Sequence, residues 1–109
     1  MKIVISQPMN GLTEDQIRAN RAAVVDELTA QGHTIVDSVF PDFDTSKVKN
    51  VPLCFLGKSF QLIAEEADAV YFMSGWESAR GCRMEFEACS AYGIKVMGDI
   101  KSACPDPAA

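Results

Sequence analysis

Only one histidine occurs in the chain, His33, and none of the four cysteines (Cys54, Cys82, Cys89, Cys104) stands at Cys-x-x-Cys spacing from another. A zinc site draws its ligands from such clusters, so the sequence lends no support to a metal. The cysteines read instead as small buried or half-buried thiols in a reducing compartment. Cys82 or Cys89 as a nucleophile would need a basic partner, and His33 opens a predicted strand remote from both. Basic residues are also scarce: 10 Lys and Arg face 15 Asp and Glu, for a net charge of -5. That balance argues against a broad basic surface for duplex nucleic acid or anionic membrane, both of which are met by clustered cations. A nucleotide held in a local pocket is compatible with it. No apolar run approaches 18 residues, and Met1 and Lys2 lead directly into a strand-like run too short for a signal-peptide core. The expectation is a cytoplasmic protein with no membrane partner.

Repeats and low-complexity stretches are absent, and 109 residues suffice for one modest core but leave no room for a separate substrate domain. We expect one domain over residues 1–99 and a frayed tail, 100–109.

The run KIVIS (2–6) is apolar and β-branched and gives way to QPMNGL, which reads as a buried strand entering a loop. Thr13-Glu14-Asp15-Gln16 is a capping box, with Ile17, Val24, Val25 and Leu28 on one face of the helix that follows and Gly32 at its end. HTIVDS (33–38) then reads as a second strand, completing a βαβ unit with parallel strands. Residues 39–52 show no sustained period and read as a long loop. A helix is expected over 53–66, a strand within ADAVYFMS (67–74), a helix over 81–92 stopped by Gly93, and a fourth strand at 94–98. This alternation predicts a three-layer α/β sandwich, flavodoxin-like or Rossmann-like, around a mostly parallel sheet of four to five strands in the order 2-1-3-4. Ligands of such sheets bind beyond the carboxyl ends of the strands, where the strand order switches. Here that brings together the loops 7–12 and 75–81.

The second of those loops runs into SGWESARGCRMEFEAC (74–89), which carries two glutamates two positions apart in a helix. On a helical wheel Glu85 shares its face with Ala88, Cys89 and Tyr92, whereas Glu87 lies with Arg80, Arg83 and Ser90. Glu87 is placed to pair with Arg83 and stay solvated. Glu85 is directed toward the sheet within about the first turn, partly desolvated yet favoured by the positive helix end, which suits a nucleophile or a base. The bland alternative leaves Glu85 at the helix edge as support for its N-terminus. Ser78, Arg80 and Gly81, just ahead of the helix, offer free N–H groups to an anion, phosphate first, although Ser-x-x-Gly is equally an ordinary cap. Neither a P-loop nor a Gly-x-Gly-x-x-Gly pattern is present.

Three stretches, ISQPMNGL after the first strand, ADAVYFMSGWESARG across the third, and Gly81-x-x-x-Glu85 with Ala88, make the chain resemble the nucleoside 2-deoxyribosyltransferase-like superfamily over nearly its whole length, especially its small bacterial and phage-type members of unassigned function. The resemblance implies that Glu85 attacks C1' of a 2-deoxyribosyl group and that a second base or a water releases the sugar with retention. It requires no metal or redox cofactor. Ser78, Arg80 and Gly81 would hold a 5' hydroxyl or phosphate, Trp76 and Met9 would pack on sugar or base, and Asn10, beside Gly11, would supply a polar contact. It also implies a homo-oligomer, a dimer or larger ring whose subunits complete each other's sites.

The chain departs from the family's pattern at Phe60, where catalytic members usually carry an aspartate that helps protonate the leaving base. The tyrosine that some members carry near the end of strand 1 is replaced by Ile3, Val4 and Ile5. Asp68 reads as a cap on its strand, and Asp42 or Asp44 would reach the site only if the long loop folded over it. Three classes of function therefore compete: an N-glycosidic enzyme, a nucleotide-binding or sensing module that has lost turnover, and a small interaction protein using an exposed Trp76 and the long loop.

Overall fold

In the computed structural model, which describes residues 1–40 and 44–100, the run Lys2–Ser6 forms strand β1. Its residues from Ile3 to Ser6 are buried on both faces, as an interior parallel strand requires. Thr13 then caps helix α1 (Glu14–Ala30): its hydroxyl accepts from Gln16 N–H while the Gln16 side chain accepts from Thr13 N–H, so the capping box closes. Strand β2 (Thr34–Val36) is shorter than the 33–38 expected, because Asp37 turns back on Val39 N–H and Ser38 reaches across to the carbonyl of Ile5.

Helix α2 (Val51–Glu66) starts two residues earlier than its apolar period suggests. Asn50 accepts from Leu53 N–H, and Pro52 sits in the first turn, where its missing N–H costs nothing. Strand β3 (Ala69–Phe72), a single 3-10 turn (Trp76–Ser78), helix α3 (Arg80–Tyr92) and strand β4 (Lys95–Gly98) complete the order. Asp68 does serve the start of β3: its carboxylate accepts from Lys2 N–H, locking β1 to β3 at their amino ends.

All pairings are parallel and the sheet order is β2-β1-β3-β4. The fold is thus an α/β sandwich of the flavodoxin type, with three layers. Alternation along the strands divides the core. Val4, Val70 and Phe72 face α2 and α3 together with Ile63, Phe86 and Cys89. Ile3 and Ala69 face α1 through Leu28, with Val24 and Tyr71 beside them. Among the described residues no helix is long and apolar enough to cross a membrane. The expected tail lies outside the described residues apart from Ile100, as does Asp42.

Gly98 ends β4 in the left-handed region, with φ of +95°, and a Cβ there would run into the backbone carbonyl of Phe72. Both penalties fall on one residue, so Gly98→Ala should lower the unfolding free energy by at least about 2 kcal/mol in urea titrations. A loss under about 0.5 kcal/mol would show that the β3–β4 junction is not under this constraint.

Candidate functional site

Helix α3 begins at Arg80, one residue earlier than the sequence suggests, and the residue at its N-cap is Ala79, which makes no side-chain cap. Ser78 does not cap the helix; its hydroxyl donates to the carbonyl of Gly75 inside the 3-10 turn. Glu85 therefore falls in the second turn of α3. The positive end of a helix acts mainly over its first turn, so this end gives the carboxylate less help than its sequence position implied.

The inward orientation holds. Glu85 is 8% exposed and lies in the buried stripe of α3 with Cys82, Phe86 and Cys89. Tyr92, also assigned to that face, is the last residue of the helix and is 83% exposed. Glu87 is exposed, and Arg83 donates through Nη1 to the carbonyl of Glu77 instead of pairing with it.

The Glu85 side chain reaches the carboxyl end of β1, where Ser6 Oγ donates to Oε1 at 3.1 Å. Ser6 is the member of this arrangement that the sequence pattern did not single out. A signal was present: Ser6 is the polar end of an otherwise apolar strand, two residues on from Val4 and so on the same face. Burial pushes the Glu85 carboxyl up to about 7, and the Ser6 hydrogen bond, which favours the ionised form, pulls against it. Cys82 and Cys89 flank it, and burial pushes both thiols up to about 11, with the Glu85 charge adding to the shift. The reactive thiolate form of both is thus disfavoured at neutral pH. Cys54 is half-buried and reduced; Cys104 lies outside the described residues. Among the described residues no group of three His, Cys, Asp or Glu side chains is placed to hold a metal.

The raised carboxyl has a stability consequence. Between about pH 4.5 and 7 the folded protein keeps a proton that the unfolded chain has released, so stability falls as pH rises through that window. The full effect is roughly 3 kcal/mol. Glu85→Gln cannot ionise, so its stability should gain on wild type by about that amount between pH 4 and 8. Parallel pH profiles for the two proteins would contradict the buried carboxyl.

The remaining expected site residues do not all converge. Met9 and Leu12 close a turn through Leu12 N–H and the Met9 carbonyl, with Gly11 at φ +79° as its third residue, so Asn10 and Gly11 sit exposed at its tip. A Cβ at Gly75, at φ +89°, would meet Pro8, and Met73 N–H donates to the carbonyl of Ser6, so the loops after β1 and β3 leave the sheet side by side. Trp76 is not exposed: it is 2% accessible, stacks on Phe86 at 4.8 Å, and donates its indole N–H to the carbonyl of Asp99. The exposed tryptophan that the interaction reading expects is therefore buried. Arg80 is exposed on the outer flank, where Trp76 and Phe86 floor a shallow cleft of about 400 Å³ with Arg80 and Arg83 on its rim. Glu85 does not line this cleft. Gly81 is half-buried, with Leu56 of α2 nearby, and Phe60 is half-buried on α2. Asp44 is exposed and accepts from Ser46 N–H within its own loop.

Comparison with known proteins supplies one match: the family described as a domain of unknown function, DUF4406, over residues 1–98. The chain belongs to that family. DUF4406 in this protein therefore spans the whole described sheet and all three helices, Glu85 and Ser6 included. Neither the curated proteins nor the solved structures yield a match.

Proposed function

We propose that this protein cleaves, or transfers across, the N-glycosidic bond of a 2'-deoxynucleoside or its 5'-monophosphate, with Glu85 as the nucleophile. One observation carries the reading: a carboxyl group buried at the carboxyl end of β1, oriented by a single hydroxyl and raised to about 7. Near neutral pH a large part of such a group is ionised, and each ionised copy is more basic than an exposed carboxylate. Ser6 engages Oε1, which leaves Oε2 for the sugar. In the first step Oε2 bonds to C1' as the C1'–N bond breaks, and its electron pair leaves with the base, which takes up a proton. In the second, water or another base attacks C1' from the opposite face, the C1'–O bond breaks, and the carboxylate is restored with net retention. The reading needs no metal or redox cofactor.

A second reading, a nucleotide-binding or sensing module, is favoured by a separate observation. Among the described residues no other carboxylate contributes to the environment of Glu85; burial and Ser6 are its causes of shift, and Phe60 stands where a second acid is expected. The proposal places the protein in the cytoplasm as a homo-oligomer, which the amphipathic helix α2 supports: Ile63 is its one buried residue, and Leu53 is 61% exposed. The deciding experiment incubates the protein with deoxynucleosides and their 5'-monophosphates and follows free base by chromatography. Turnover supports the enzyme; a rise in melting temperature with a monophosphate and no free base supports the binding module.

A further inference from the structure

The buried polar or charged side chains among the described residues are Ser6, Gln7, Arg21, Ser38 and Glu85. Arg21 bonds to both Gln7 and Ser38, and those three form one group. Ser6 and Glu85 form another, and the glycosidic reading uses only the hydrogen bond between them. That reading leaves a neighbour out. Cys82 is 3% exposed and lies three positions before Glu85 on the buried stripe of α3. It packs in one core cluster with Val4, which shares a face of β1 with Ser6. Its free thiol is also a hydrogen-bond partner of the Ser6 side chain.

Counting hydrogens fixes the direction of this chain. A serine hydroxyl has one hydrogen to give and two lone pairs with which to accept, whereas an ionised carboxylate only accepts. With Glu85 charged, the single Ser6 hydrogen therefore lies toward Oε1, and the thiol can only be the donor to Ser6 Oγ. Burial pushes the Cys82 thiol up, so its hydrogen is retained at neutral pH. The two bonds run the same way, and in a buried site the first polarises the second. Once Glu85 takes a proton, its own O–H can donate to Ser6 Oγ, and the Ser6 hydrogen is released toward the sulfur. Among the described residues Cys89, on the same helix, is the other group on which the Glu85 charge acts, and its thiol is pushed up too. Around the two thiols α2, β3 and the 3-10 turn contribute the apolar Ile63, Val70, Phe72 and Trp76. Arg83 and Glu87 of α3 are exposed.

We propose that Cys82 is a positioning residue for Glu85: its thiol donates to Ser6 Oγ, which aims the Ser6 hydroxyl at Oε1 and supports the carboxylate in its charged, oriented form. Its part in base release rests on the glycosidic reading, while the hydrogen-bond chain itself does not. A thiol is a weak donor, so the support is modest and adjustable by substitution at position 82.

The test follows the whole protein labelled with 13C at the glutamate side-chain carboxyl, with the Glu85 resonance assigned by Glu85→Gln and titrated against pH. Cys82→Ala and Cys82→Val both lack the donor, and only the second refills the space; both should raise the Glu85 midpoint by roughly 0.3 pH units. Cys82→Ser donates more strongly and should lower it. Ser6→Ala should raise it by roughly 1 pH unit, and adding Cys82→Val to Ser6→Ala should change nothing further. A merely structural thiol would not give opposite signs for valine and serine. The wild type supplies a second measurement that needs no altered protein to fold: the infrared S–H stretch of a hydrogen-bonded thiol should change as Glu85 titrates. The proposal is overturned if the valine and serine variants move the midpoint the same way, if Cys82→Val acts equally with Ser6 absent, or if no S–H band follows the Glu85 titration. If the chain behaves as expected but no deoxynucleoside releases its base, the glycosidic reading falls and the chain stands; if base is released and the signs fail, the reverse holds.

Discussion

Replacing Glu85 by alanine should abolish base release, with a fall of at least about 10³-fold for any deoxynucleoside that the wild type turns over. The size follows from the role: a covalent step has no substitute when its nucleophile is removed, and Ser6 alone cannot bond to C1'. Glu85→Gln should be equally inactive while folding at least as well, since it keeps an oxygen for the Ser6 hydroxyl and removes the ionisation that burial opposes. That pairing of lost turnover with kept stability separates chemistry from collapse. The pH dependence adds a sign. A nucleophile works when ionised, so kcat/KM should rise through about pH 7, whereas a general acid with the same carboxyl would lose activity over that range. Mass spectrometry of a quenched reaction should find one deoxyribosyl group on the peptide containing Glu85. An active Glu85→Ala protein would end the proposal.

Trp76→Ala should be the most damaging core substitution, costing about 3–5 kcal/mol. Phe72, Trp76 and Phe86 form a closed cluster, with ring centroids 5.2, 5.4 and 4.8 Å apart, that ties β3, the 3-10 turn and α3 together. Aromatic contacts of this geometry add to the area they bury. Removing the indole opens a large void and also removes the hydrogen bond to the carbonyl of Asp99. For a domain of this size the unfolding midpoint should drop by on the order of 15 °C or more. Trp76→Phe keeps a ring and loses mainly the N–H, so a loss of about 1–2 kcal/mol is expected. A loss under about 1 kcal/mol for the alanine variant would contradict the buried cluster.

The sheet was legible because each strand is a short apolar run bounded by turn residues, and two of the three helices have a start or stop that sequence chemistry announces: the Thr13 box for α1 and Gly93 for α3. Where boundaries slipped, tertiary partners decided. Ser38 is drawn off β2 by the carbonyl of Ile5, a contact no local pattern encodes. The orientation of Glu85 followed from helical periodicity, but its hydrogen-bond partner lies 79 positions away and is defined only once β1 and α3 meet. Trp76 was misplaced for a related reason: a tryptophan in a glycine-flanked turn looks exposed until the neighbouring elements supply Phe72 and Phe86. The burial of Arg21 escaped notice because a polar residue among the apolar positions of α1 looks solvated when its partners, Gln7 and Ser38, come from outside the helix.

The position of β1 has a consequence for how the chain comes together during synthesis. Ile3 lies between Ile35 and Ala69, so once it has left the ribosome its second neighbour emerges only after the whole stretch from β1 to β3 has been translated. Until then an apolar edge that is buried on both faces in the finished protein is left open to wrong pairings, and such non-local closure is slow. Yield in cells should therefore respond to chaperone supply more sharply than the equilibrium stability of the purified protein would suggest.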